Sequence, residues 1–202
     1  MIRTLLFDLG NVLVGLDFDR AYRAVAEVTA HAPDEVRRRL FESRLADVYE
    51  EGAITSEEFH RRCCRTLEME MVYDQFATVW GDMFAERPLL DEDFLAALGR
   101  RYRMAVVSNT NELHFQWLRE RFRLLDHFET LVLSYEVGAA KPAPAIYQAA
   151  LERTGSRPEE CFFTDDREEN VLGARALGIN AALFTGQRDL EKGLAARGVS
   201  WM

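Results

Sequence analysis

Five polar residues stand where short apolar runs stop: Asp8 after Thr4-Leu5-Leu6-Phe7, Ser108 after Met104-Ala105-Val106-Val107, Ser134 after Thr130-Leu131-Val132-Leu133, and Asp165-Asp166 after Cys161-Phe162-Phe163-Thr164. Lys141 joins them in Gly138-Ala139-Ala140-Lys141-Pro142. Asp8, Asp165 and Asp166, if gathered, repel one another unless protonated or bridged by a cation. Mg²⁺ suits such a site, because it takes one or two carboxylates and leaves room for water and a phosphate oxygen. Ser108 and the amides of Asn109 and Thr110 precede a helix, which is a ready anion site. Lys141, held by Pro142 just before a helix, supplies a fixed positive charge. Carboxylate, metal, hydroxyl and ammonium around one anion-sized space describe phosphoryl transfer, where positioning and charge neutralisation do most of the catalysis. Asp8 would be the nucleophile, forming an aspartyl-phosphate that water then clears.

Each residue alone has a plainer reading. Asp after a strand is common turn chemistry. Ser108 serves as well as a helix cap, and Lys141 as a solvated surface residue. Acids at a helix start contribute only ~0.3–1 kcal/mol each through the dipole. Their joint occurrence at successive strand ends favours the site.

The elements must bring these ends together. Wholly apolar runs separated by helices predict a parallel sheet covered on both faces. All strands then point one way, and ligands bind at the carboxyl edge. From Pro88 onward helix and strand alternate, with Leu90, Phe94, Leu95 and Leu98 on one helix face, Leu113, Trp117 and Leu118 on the next, and Ile146, Tyr147, Ala150 and Leu151 on a third. Residues 17–87 instead read as helices only, at spacings such as Val36-Leu40-Phe41-Leu45-Val48-Tyr49. Pro33-Asp34-Glu35 opens one helix and Gly52 stops it, while Thr55 and Glu58 have capping-box spacing. The expected organisation is a core of 1–16 and 88–202, with 17–87 inserted after the first strand as a cap over the carboxyl edge.

Composition narrows the function classes. With 202 residues, 48% of them hydrophobic, the chain can bury a full core. A formal charge of −9 argues against a nucleic-acid or anionic-membrane surface as principal partner. Three cysteines, Cys63 and Cys64 adjacent, give neither a disulfide framework nor zinc spacing and fit a reducing cytosol. No apolar run approaches the ~20 residues of a membrane helix, and the first strand, broken by Asp8, lacks a signal-peptide pattern. The expectation is a soluble cytoplasmic protein. Trp80, Met83 and Phe84 read as core or interface, so monomer and homodimer both stand.

The chain resembles the haloacid dehalogenase (HAD) superfamily of aspartate-nucleophile phosphotransferases over nearly its whole length. The motifs that carry the resemblance are Phe7-Asp8-Leu9-Gly10-Asn11-Val12-Leu13, Val106-Val107-Ser108-Asn109, Lys141-Pro142, and Phe163-Thr164-Asp165-Asp166 with Asn170. It implies a three-layer α/β Rossmann-like core, and the insertion, including Glu51-Gly52-Ala53-Ile54-Thr55, is similar to the small C1 helical cap of subfamily I. The Asp-Leu-Gly-Asn start is similar to a branch that includes a bacterial α-D-glucose-1-phosphate phosphatase. By this resemblance Asp8 is the nucleophile, and Asp8, the Gly10 carbonyl and Asp165 hold Mg²⁺ with Asp166 in support. Ser108, Asn109 and Lys141 bind the transferring phosphoryl group.

One departure stands out. Most family phosphatases carry a second Asp two residues after the nucleophile as general acid and base, and here that position is Gly10. Such a group is worth ~10²–10⁴-fold in rate. Asp17, just past the first turn, is a candidate replacement, or else the cap of the first inserted helix. Ala143 stands where many relatives place an acid after Lys-Pro. The expected function is a Mg²⁺-dependent phosphatase of a small phosphorylated metabolite, a sugar phosphate such as glucose 1-phosphate. The alternatives are a phosphometabolite-binding protein without useful turnover, motivated by Gly10, and a 2-haloacid dehalogenase. The last leaves Asp165-Asp166 without a purpose. Substrate contacts in the cap are expected near residues 17–22 and 49–54.

Overall fold

The computed structural model describes residues 1–201. In chain order the elements are β1 (Thr4–Phe7), β2 (Val14–Leu16), α1 (Phe18–Ala26), α2 (Pro33–Ser43), α3 (Leu45–Glu50), α4 (Ser56–Thr66), α5 (Tyr73–Gly81), β3 (Phe84–Pro88), α6 (Glu92–Gly99), β4 (Arg103–Ser108), α7 (Glu112–Arg121), β5 (Thr130–Leu133), α8 (Ser134–Val137), α9 (Pro144–Thr154), β6 (Cys161–Asp165), α10 (Glu168–Ala176), β7 (Asn180–Leu183) and α11 (Gln187–Ala195). Short 3₁₀ turns span Arg123–His127 and Pro158–Glu160.

β1, the apolar run ending in Asp8, lies at the centre of a parallel sheet in the order β5-β4-β1-β6-β7. Its registers, Phe7 opposite Val106 and Thr164, set Asp8, Ser108 and Asp165 at neighbouring strand ends. One face packs Leu5, Phe7, Met104 and Val106 against α6, α7 and α11, and the other packs Leu6, Ala105, Val107 and Phe163 against α9 and α10. The α/β class and the central parallel sheet are as the apolar runs predict.

The helices α1 to α5 enclose a separate apolar cluster around Val36, Tyr49, Phe59, Phe76 and Trp80. Cys63 packs within it, and Trp80, Met83 and Phe84 are buried inside the chain. One expectation needs correcting. The stretch read as helical through residue 87 turns to strand at Phe84, where β3 pairs antiparallel with β2 in a two-stranded ribbon. Its sequence Phe-Ala-Glu-Arg-Pro has no apolar alternation, because three of its five residues face solvent and Pro88 ends the pairing. The ribbon is where the chain leaves for α1 and returns: Asp17 N donates to Met83 O and Leu89 N to Leu13 O.

Candidate active site

Asp8 leaves the sheet at its carboxyl edge with its backbone N–H bonded to Thr164 O, while Leu9 N donates to Asp8 Oδ1 at 2.7 Å. Lys141 Nζ lies 2.6 Å from Asp8 Oδ1 and 2.6 Å from Asp165 Oδ2, with all three side chains buried. Burial pushes the Asp8 carboxyl above the ordinary carboxylate range, the Lys141 ammonium pulls it back, and the Asp165 charge pushes it up again. The ammonium is itself aimed from behind. Lys141 N donates to Asn109 Oδ1 and Asn109 Nδ2 donates to Lys141 O, at 2.6 and 2.9 Å, so Asn109 clamps the lysine backbone.

Asp8, Asp165 and Asp166 each offer a carboxylate oxygen within 4.8 Å of the others. They are not equivalent. Asp165 is fully enclosed, accepting from Arg167 N and Asn170 Nδ2 on Oδ1 and from Lys141 Nζ and Asn170 Nδ2 on Oδ2. Asp166 is half-buried, and its one hydrogen bond among the described residues is from Asn11 Nδ2 at 3.1 Å. Asp166 therefore has lone pairs to spare and Asp165 has few. Of the two acids, Asp166 has the freer carboxylate oxygens and Asp165 is bonded to Lys141, while both stay within reach of a cation shared with Asp8. An oxygen-only donor set of this kind fits a small hard divalent ion.

These groups face a cavity of about 230 Å³, whose wall includes Asp8, Gly10, Ser108, Asn109, Lys141 and Asp166. The sequence-derived set thus meets in one place, except that Asp165 lies behind the wall. Ser134 is elsewhere: its hydroxyl accepts from Thr110 N and donates to Thr110 O, clipping two strand ends together. Asp17 caps α1, accepting from Arg20 N, and is not part of the cavity wall. A second chamber of about 500 Å³ adjoins, bounded by α1, α2, α3 and α5, and shares Phe18, Glu50, Met83 and His114 with the first.

A family model for haloacid dehalogenase-like hydrolases matches residues 2–178. The chain belongs to the haloacid dehalogenase-like hydrolases. It is 28% identical over 185 residues to a D-ribitol-5-phosphate phosphatase from Bacteroides thetaiotaomicron, covering 89% of this chain and 90% of that one. To a phosphorylated carbohydrates phosphatase from Thermotoga maritima it is 27% identical, covering 96% and 93%. A crystal structure of a HAD family enzyme from B. thetaiotaomicron, in complex with magnesium and inorganic phosphate, superposes with a TM-score of 0.84 at 30% identity, covering 92% of this chain and 96% of that one.

In this HAD-like hydrolase the wall and its supports include residues to which the sequence alone assigns no role. Arg167 lines the cavity while its N–H orients Asp165. Asn11, at a left-handed φ of 55°, holds Asp166 through Nδ2 and accepts from Leu16 N through Oδ1. His114 is buried between Asn111 and the Trp80 carbonyl, and burial pushes its imidazole down to about 4. Arg167 is signalled only by its place beside Asp166, whereas Asn11 belongs to the Asp-Leu-Gly-Asn start, three residues after Asp8.

Proposed function

We propose that the chain is a Mg²⁺-dependent phosphatase that hydrolyses a small phosphorylated carbohydrate through an aspartyl-phosphate on Asp8. The observation that carries this reading is Asp8 itself: a buried carboxylate, paired with Lys141, facing a phosphate-sized cavity whose wall also holds Asp166. The carboxyl and carbonyl oxygens of Asp8, Gly10 and Asp166 would hold Mg²⁺, which supplies charge neutralisation on the phosphoryl oxygens. Ser108, the Asn109 backbone and Lys141 bind and orient the phosphoryl group. Lys141 also offsets part of the burial that disfavours the ionised Asp8, and the carboxylate once ionised attacks without a separate base.

Of the two relatives described above, one is named for phosphorylated carbohydrates and the other for D-ribitol 5-phosphate, a phosphorylated polyol. The adjoining chamber supports a substrate of that size. Its aromatic walls, Phe18, Tyr22 and Trp80, suit the C–H faces of a sugar or polyol, and Glu42, Arg44 and Asp47 supply polar groups for hydroxyls. Glucose 1-phosphate remains within this class. Dehalogenation is not favoured, because it leaves Asp166 and its Asn11 support without a use.

The test is a panel of sugar and polyol phosphates with Mg²⁺, run on the wild-type chain and on Asp8→Asn. We expect phosphate release by the wild type and its loss by at least ~10³-fold in the variant, with phosphate still bound. Retained turnover in Asp8→Asn would remove the covalent route. Gly10 favours a second reading, a binder without turnover; phosphate binding with no release on any member of the panel would establish it.

A further inference from the structure

The residue that should pass protons to and from the substrate is missing from its expected place at Gly10, and the structure offers a substitute from the other side of the cavity. We propose that Glu50, the last residue of α3, is the general acid and base of the hydrolysis; this deepens the phosphatase reading and rests on it. Glu50 is among the residues common to the phosphoryl cavity and the adjoining chamber. That junction is where the bridging oxygen lies when a phosphoryl group occupies one space and its organic part the other.

The other ionisable groups of the cavity wall are already committed. Asp8 is the nucleophile, Lys141 is held between Asp8 and Asp165, and Asp166 has the position for a cation. His114, which also faces both spaces, has one ring nitrogen on Asn111 and the other on the Trp80 carbonyl. Arg167 offers only hydrogen-bond donors and no acceptor for a proton. Among the described residues, Glu50 is the one acid of the wall whose carboxyl no hydrogen bond ties down: its charged neighbours, Asp47, Arg167, Asp8 and Lys141, act on it through space. Burial, and after it the Asp47 charge, pushes this carboxyl up to about 7, where either protonation state is accessible at neutral pH.

The proton balance closes over two steps. Asp8 attacks phosphorus, the bond from phosphorus to the bridging oxygen breaks, and that oxygen takes its proton from the Glu50 carboxyl and departs as an alcohol. Water then attacks the aspartyl-phosphate, gives its proton to the Glu50 carboxylate, and the bond from phosphorus to Asp8 breaks. Phosphate leaves, and both carboxyls return to their starting states.

The test compares Glu50→Gln with wild type on p-nitrophenyl phosphate, whose leaving group needs no proton, and on a polyol phosphate, whose leaving group does. In the variant, turnover of the polyol phosphate should fall by ~10²–10⁴-fold. With the aryl ester the variant should release one equivalent of p-nitrophenolate in a burst and then turn over slowly, because the phosphoenzyme forms without an acid and clears poorly without a base. Formate added to Glu50→Ala should restore part of the rate, which a merely structural role would not allow. Wild-type-like rates in Glu50→Gln on both substrates, or a slow variant with neither burst nor formate rescue, would overturn the assignment. A wild-type chain that itself releases no phosphate would instead end the phosphatase reading.

Discussion

At the residue scale the site is a balance of buried charges with Lys141 at its centre. One ammonium, 1% exposed, lies 2.6 Å from oxygens of two carboxylates. Removing one member of such a buried set leaves uncompensated charge and costs about 3–5 kcal/mol. Lys141→Met should show that deficit in urea unfolding with chelator present at about pH 8, and the deficit should shrink toward about pH 5 as the freed carboxylates take up protons. A deficit that is constant with pH would place its cause in packing instead. The identity of these residues was legible in the sequence because buried strands announce themselves as apolar runs, and a charge ending such a run is conspicuous. Their division of labour was not. Asp165 and Asp166 are chemically identical neighbours, and only the backbone turn after β6 decides that one faces Lys141 and Asn170 while the other faces the cavity. Glu50 lies within the 49–54 stretch expected to meet substrate, but in sequence it is one acid beside another, Glu51, on a polar helix end, and only tertiary packing shows which of the two is partly covered and faces the cavity.

At the element scale α3 must be held over the sheet edge, and four contacts of α3 and the turn after it fix it there. Tyr49 Oη lies 2.7 Å from Ser56 Oγ and accepts from Leu113 N, Ser56 Oγ donates to Glu112, and Gly52 abuts the carbonyl of Tyr135. Gly52 has a φ of +70°, and a Cβ there would stand 2.0 Å from Tyr135 O. A left-handed alanine costs about 1–2 kcal/mol in any setting. Here the clash is with backbone, so relief requires the end of α3 to lift away from α8. Gly52→Ala should therefore lose stability and also lower kcat on polyol phosphates, because Glu50 lies two residues upstream. Gly155, at φ +60° with nothing within 4 Å of a Cβ, is the control: Gly155→Ala should cost only the conformational part and leave kcat unchanged. Equal kinetic effects in the two variants would deny that Gly52 positions Glu50. The helices themselves were readable from period and caps, as at Thr55, whose hydroxyl accepts from Glu58 N. The β2–β3 ribbon was not, since a short exposed pair closing on a proline leaves almost no apolar pattern.

At the scale of the whole molecule, a chain of net charge −9 gathers three of its carboxylates at the centre of its sheet edge and sets one lysine among them. Folding therefore works against part of its own electrostatics, and a divalent cation should repay it. Asp8 has its pKa raised in the folded state, chiefly by burial. A raised carboxyl contributes stability that is present below its unfolded pKa and lost as pH rises through the folded one. Without metal the chain should thus lose stability between acid and neutral pH. Mg²⁺ binds the ionised carboxylates of the folded chain and finds no such cluster in the unfolded one. At a hundredfold excess over its Kd it should add about 2.7 kcal/mol, which for a chain of this length raises Tm by about 5–10 °C. The increment should be larger at about pH 8 than at about pH 5, because protons and cation compete for Asp8. Asp166→Asn should shrink the increment while changing the metal-free Tm little, since Asp166 is half-buried and weakly tied. Asp165→Asn should lower Tm with or without the ion, since its oxygens hold Lys141, Asn170 and the Arg167 amide. Thermal melts of the three proteins in chelator and in Mg²⁺ measure both effects, and a wild-type Tm that ignores Mg²⁺ at about pH 8 would mean that these acids do not form a cation site.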